Sequence, residues 1–148
     1  MLKTHSALLP NKIPATFSKN DVAINSKTLL NAVIGYPLDH TSSPKFHNAT
    51  YAQMGINAVM LAFPQKNLNL MVKAIRTLPI HLTAVTMPHK EAVLKFLDHI
   101  DKAAREIGAV NTIINKNGTL YGFNTDVTGI AEALKETPIK NKKVLLIG

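Results

Sequence analysis

The hydrophobic positions of this chain fall into two alternating textures. Three short apolar or β-branched runs, "TLLNAVIGYP", "NAVMLAFP" and "HLTAVTMP", are each closed by a proline. Runs of this kind suit strands buried on both faces, as in a parallel sheet. Between them the period becomes helical. After Pro64, residues Leu68, Met71, Val72, Ile75 and Leu78 fall at i, i+3, i+4, i+7 and i+10, on one helical face. Ser43 is placed to cap an earlier helix, with Pro44 at its first position and Gly55 at its end. A further helix is expected from near Pro88, carrying Val93, Leu94, Leu97 and Ile100. In "GAVNTIINKNGTLYGFN" the pair Asn117-Gly118 stands between two strand-like runs, a hairpin signal. "DVTGIAEALKE" has a helical pattern up to Thr137-Pro138, and Val144–Ile147 is expected as a last strand running into Gly148.

Strands alternating with helices, plus one hairpin, predict an α/β domain with a mostly parallel sheet. Residues 1–27 lack sustained periodicity and are expected as an N-terminal extension; residues 28–136 form the domain, and 137–148 a linker and strand. A chain of 148 residues holds one domain with a proper core. No apolar run approaches the ~20 residues of a membrane helix, and "ALLP" is too short for the apolar part of a signal peptide. A cytoplasmic location without a membrane partner is therefore expected. The absence of cysteine excludes disulfides, thiolate metal sites and a cysteine nucleophile. The formal charge of +8 raises the question of nucleic acid, but the 17 Lys and Arg are scattered from Lys3 to Lys143 with a single adjacent pair, Lys142-Lys143. Few aromatics accompany them, so the charge suits an anionic small molecule better than a base-stacking surface.

Polar residues gather after the strands, in "GYPLDHTSSPKFHN", "VTMPHKE", "GAVNT" and "GFNTD". Ligands of open α/β sheets bind beyond the carboxyl ends of strands, so these segments are candidates for lining one cleft. Their hydroxyls, amides, lysine and aspartate suit a polyhydroxylated anion. Local roles compete: Ser43 as a helix cap, Asp126 favoured by a helix dipole, Asn111 and Asn124 as turn residues. Lys90 is harder to explain locally, because a cation near a helix start opposes the dipole. An amine in that field suits general acid or base work, whereas a nearby Asp126 would hold it charged; the sequence leaves the balance open. Of His40, His47, His81 and His89, only His40 and His47 share a segment, and a spacing of seven matches no common zinc pattern. They are taken as structural or exposed, with no metal expected. No G-x-G-x-x-G phosphate loop occurs.

Together "GYPLDHTSSPKFHN", "VTMPHKE", "GAVNT" and "GFNTDVTG", in this order, resemble the shikimate dehydrogenases, from about Ala32 to Gly148. The resemblance implies a three-layer substrate-binding domain of the amino-acid-dehydrogenase-like kind, followed by a Rossmann domain that binds NADP. It implies interconversion of shikimate and 3-dehydroshikimate, a step towards the aromatic amino acids. Thr41 and Ser43 would bind the substrate carboxylate; Thr86, Asn111 and Asp126 would hold its hydroxyls. Lys90 and Asp126 would be the catalytic pair, Lys90 exchanging the proton of the reacting hydroxyl and Asp126 orienting it. Gly148 would open the NADP phosphate loop. Three departures stand out: Thr41 where the family usually has serine; Met87 and His89 in "VTMPHKE", with His89 expected to face solvent; and a chain of 148 residues without the following domain. The chain as given is therefore expected to be the substrate-binding portion, inactive alone. Alternatives are a quinate/shikimate dehydrogenase domain and a non-catalytic shikimate-binding module. The expected partner is a small-molecule substrate, without nucleic acid or membrane, and pairing into a homodimer is left open.

Overall fold

Residues 24–137, 139, 141–145 and 147 are described by the computed structural model. Most of the expected N-terminal extension, and the expectations placed on Pro138, Leu146 and Gly148, lie outside them. The first two predicted strands, β1 (Leu29–Gly35) and β2 (Ala58–Pro64), pair in parallel from Leu29 against Ala58 to Gly35 against Pro64. On its other side β1 pairs in parallel with β3 (Leu82–Val85), Asn31 against Leu82. The hairpin then joins through antiparallel contact of β3 with β5 (Thr112–Lys116), and of β5 with β6 (Thr119–Phe123). A two-residue strand missed by the periodicity, β4 (His99–Ile100), closes the sheet in parallel with β6. The order is β2-β1-β3-β5-β6-β4. Asn117 and Gly118 both take positive φ, 53° and 88°, as a type I′ hairpin turn requires.

Helices cover both faces, giving the three layers. Asn31 on one face of β1 donates from its amide to the Tyr51 hydroxyl, 2.9 Å away on α1 (Ser43–Met54). Ala32 and Ile34, on the opposite face, cluster with Leu68, Met71, Val72 and Ile75 of α2 (Leu68–Thr77) and with Ile113 and Leu120 of the hairpin. Asn67 caps α2 by accepting from the Leu70 N–H. Leu78, expected on the buried face, lies beyond the last turn and is exposed. The outer edge of β2 is partly occupied from within: Asn48 of α1 accepts from the Met60 N–H at 2.7 Å and donates to the Met60 carbonyl at 3.0 Å. That blunts a row of groups otherwise open to another strand.

One expected helix is corrected. The helix expected from Pro88 to Ile100 is instead a four-residue helix, α3 (His89–Ala92), and a 3-10 turn, Leu94–Phe96, and Ile100 belongs to β4. Tertiary bonds break it: Arg76 takes the Phe96 carbonyl, and Asp98 exchanges bonds with Leu120 through its N–H and its carboxylate. A short helix follows, α4 (Lys102–Ile107), capped by Asp101 and ended by Gly108 at φ 74°. The expected strand Val144–Ile147 is described only in part, since Leu146 lies outside the described residues. α5 (Thr125–Ala133) is followed by no further strand among the described residues, and Val144, Leu145 and Ile147 are exposed. A lone apolar run has no strand beside it here to take its backbone N–H and C=O groups.

Candidate functional site

The carboxyl ends of β1, β3 and β6 lie at one end of the sheet, and backbone bonds stitch their loops together. Thr86 N–H donates to the Ile34 carbonyl at 2.9 Å and Tyr36 N–H to that of Met87 at 3.0 Å. Val85 N–H reaches the Asn111 carbonyl at 2.7 Å, Asn111 N–H that of Phe123, and Val110 N–H that of Lys90. Gly35 is required where β1 meets β3: a Cβ there would meet the Thr86 methyl and lie 2.8 Å from the Met87 carbonyl oxygen. The four polar segments thus surround one cleft of about 700 Å3.

Thr41, Ser43, Thr86, Lys90, Asn111 and Asp126 all line this cleft. Val33, Leu82 and Ala84 add an apolar surface from the sheet. Lys90 Nζ donates to Asp126 Oδ2 at 2.9 Å, with about a third of the lysine side chain and half of the aspartate exposed. That bond is the main reason the Asp126 carboxyl is held below the usual carboxylate value; partial burial opposes it, and the Asn111 amide adds to it. The conflict with a helix dipole largely disappears, because α3 has only four residues.

Ser43 is not the cap of α1. The cap position is Ser42, which makes no side-chain bond, and Ser43 is the first helical residue, its N–H 3.4 Å from Thr41 Oγ1. Capping therefore does not account for either hydroxyl. The first turn of α1 carries no acidic residue, so its amide end, beside Thr41 and Ser43, favours an anion. Asn124, by contrast, is a buried cap: its amide oxygen accepts from the Asp126 N–H, and its NH2 donates to the Ala109 carbonyl.

Thr125 is a cleft residue not singled out from the sequence. Asn111 Nδ2 donates to its hydroxyl at 2.9 Å, and Asn111 Oδ1 accepts from its N–H at 3.0 Å and from the Thr112 hydroxyl at 2.9 Å. This tie fixes the start of α5, and hence Asp126, to β5. The paired Asn-Thr steps in "VNT" and "FNT" were the available signal. His40 and His47 also reach the cleft, His47 lying between the rings of Phe46 and Tyr51. Among the described residues no group of three His, Cys, Asp or Glu is placed to hold a metal. His89, expected to face solvent, is buried instead, because its ring nitrogen Nε2 finds the Gln65 carbonyl 2.7 Å away.

Residues 33–113 match the family described as the shikimate dehydrogenase substrate binding domain. The shikimate dehydrogenase (NADP(+)) of Methanococcus maripaludis is 44% identical over 129 residues, covering 84% of this chain and 46% of that one. The solved shikimate dehydrogenase of Aquifex aeolicus superposes with a TM-score of 0.72 at 41% identity, covering 77% of this chain and 44% of that one. The shikimate 5-dehydrogenase of Listeria monocytogenes, solved with shikimate and NAD, gives 0.72 at 37% identity, covering 83% and 42%. The chain spans under half the length of these relatives.

Proposed function

Because this chain belongs to the family of shikimate dehydrogenase substrate-binding domains, we propose that its cleft binds shikimate and 3-dehydroshikimate as part of an NADP-dependent oxidoreductase. The observation that carries this reading is the Lys90–Asp126 bond in a cleft whose other wall is the amide end of α1. A ring acid fits that division. Its carboxylate meets Thr41, Ser43 and the α1 amides, and its hydroxyls meet Thr86, Asn111 and the Lys90–Asp126 pair. When the ketone is reduced, the Lys90 ammonium gives a proton to the carbonyl oxygen; in the reverse direction the neutral amine takes the hydroxyl proton. Asp126 holds the Nζ in place for both.

When bound by a cofactor domain, NADP would supply or accept the hydride, and the residues of this chain would hold the substrate and move the proton. The 148 residues contain no G-x-G-x-x-G, so they do not fit the pyrophosphate of a dinucleotide. In this reading residues 28–136 form the substrate domain, and 137–148 lead towards a cofactor domain, with Gly148 its first phosphate-loop glycine. Among the described residues no helix is long and apolar enough to cross a membrane, which suits a cytoplasmic enzyme.

Calorimetry tests the reading on the chain itself. Heat of binding with shikimate is expected, with affinity weakened about tenfold in Ser43→Ala and kept in Lys90→Ala. A folded sample giving no heat with shikimate or quinate overturns it. Binding of quinate in preference to shikimate moves the assignment to the quinate branch of the same chemistry.

A further inference from the structure

The imidazole of His89 is the one buried histidine among the described residues, 4% exposed, and it stands next to Lys90 in the chain. Its Nε2 lies 2.7 Å from the Gln65 carbonyl oxygen. A carbonyl only accepts, so Nε2 carries the proton and Nδ1 is the bare nitrogen in the neutral ring. Gln65 is itself fixed: its N–H donates to the Gly35 carbonyl at 3.0 Å, and its side-chain oxygen accepts from the Asn67 N–H at 2.9 Å. The histidine thus ties the loop between β2 and α2 to the segment bearing Lys90.

That tie matters because α3 is a helix of four residues. A single turn has almost no stability of its own, since helix nucleation fixes several residues for one hydrogen bond. The rotation of such a turn, and with it the direction of Lys90, is set by what holds it from outside: the Val110 N–H on the Lys90 carbonyl at 2.8 Å, and the buried side chains of His89 and Val93. His89 faces the loop after β2; Lys90, the next residue, faces the cleft and Asp126. We propose that His89 is a positioning residue, whose buried bond to the Gln65 carbonyl sets the turn so that Lys90 Nζ meets Asp126. Its consequence for turnover rests on the function proposed above; the positioning itself does not, and is measured without substrate.

The test follows the Asp126 carboxyl by NMR titration of the intact chain. Lys90→Ala gives the reference, an upward move of the Asp126 midpoint once its hydrogen-bond partner is gone. His89→Phe keeps an aromatic ring without the N–H donor and should move the midpoint in the same direction. His89→Gln, which offers an amide N–H in a similar place, should restore it towards the wild-type value. A folded His89→Phe chain with an unmoved midpoint overturns the proposal and leaves His89 a core residue. A wild-type measurement guards against variants that fail to fold: His89 should show the Nε2–H tautomer, with a slowly exchanging ring proton. The Nδ1–H tautomer, or a ring proton exchanging as in free solution, overturns the proposal as well. Absence of shikimate binding, with these results intact, would count against the function and not against the positioning.

Discussion

The hairpin of β5 and β6 carries an ion pair at each end, and the two pairs are nearly identical in length. At the turn end Arg76 meets Asp98 at 2.8 Å; at the open end Lys90 meets Asp126 at 2.9 Å. Their surroundings differ. Arg76 also donates to the carbonyls of Gly118 and Phe96, and Asp98 also accepts from the Leu120 N–H at 2.7 Å. The protein consumes that pair, using it to join α2, the 3-10 turn and the hairpin. Lys90 makes one side-chain bond among the described residues, to Asp126, and an ammonium carries three donors. The remaining donors face a cleft. What would separate a structural clamp from the proposed proton-moving pair is the number of bonds left for something else.

The largest effect that would sharpen this contrast is on turnover. In this chain joined to an NADP-binding domain, Lys90→Ala should lower kcat for shikimate by about 10²–10⁴-fold, the usual contribution of a positioned acid or base. Its cost in unfolding free energy should stay below about 1 kcal/mol, as for other half-exposed pairs. A Lys90→Ala chain that lost stability and kept its rate would collapse the distinction, since Lys90 would then be a clamp.

Arg76→Ala should do the reverse. It strips donors from the Phe96 and Gly118 carbonyls and from Asp98 together, so urea unfolding should show a loss of about 1–3 kcal/mol, with shikimate affinity unchanged. Should affinity fall as far as stability, the two ends of the hairpin would be coupled and not separate.

The contrast also marks how far the sequence could be read. Three strands, the hairpin and the apolar face of α2 were legible because their periodicity is local: four residues of α2 are buried at the predicted spacing. The break after Ala92 was not, because it depends on Arg76, 20 residues away from the Phe96 carbonyl that it binds. The burial of His89 was hidden for the same reason, its partner standing 24 residues earlier. Six candidate residues share the cleft: Thr86 sits just past β3, Asn111 just before β5, and Ser43, Lys90 and Asp126 in the first turns of helices, while Thr41 and Thr86 were singled out through the family resemblance and not by pattern. Thr125 escaped because its role lies in a bond to Asn111 across 14 residues.

A smaller effect tests the α1 end of the cleft. Ser43 makes no capping bond, so Ser43→Ala should change stability by less than about 0.5 kcal/mol while weakening shikimate about tenfold, as for a lost hydrogen bond to a charged group. Equal losses of both would return Ser43 to a local role in the helix.

The smallest expected effect is in acid, and it bears on both pairs at once. Asp98 is held below the usual carboxylate value chiefly by the Arg76 hydrogen bond and then by the Leu120 N–H, Asp126 chiefly by Lys90. A carboxyl depressed in the folded state binds its proton more readily when unfolded, at about pH 3.9. The stability it contributes is therefore complete above that value and drains away as pH falls through the lower folded one. The contribution of these two carboxyls to the unfolding free energy should be flat above about pH 5 and decline below about pH 4. Asp98→Asn and Asp126→Asn should each flatten part of that decline. They should differ in size at neutral pH: the Asp98 variant should lose more stability there, because Leu120 and Arg76 lose a charged acceptor that the fold uses. If the Asp126 variant were equally destabilised at neutral pH, its carboxylate would be a structural tie as well, and the open end of the hairpin would be held together by the same groups proposed to move the proton.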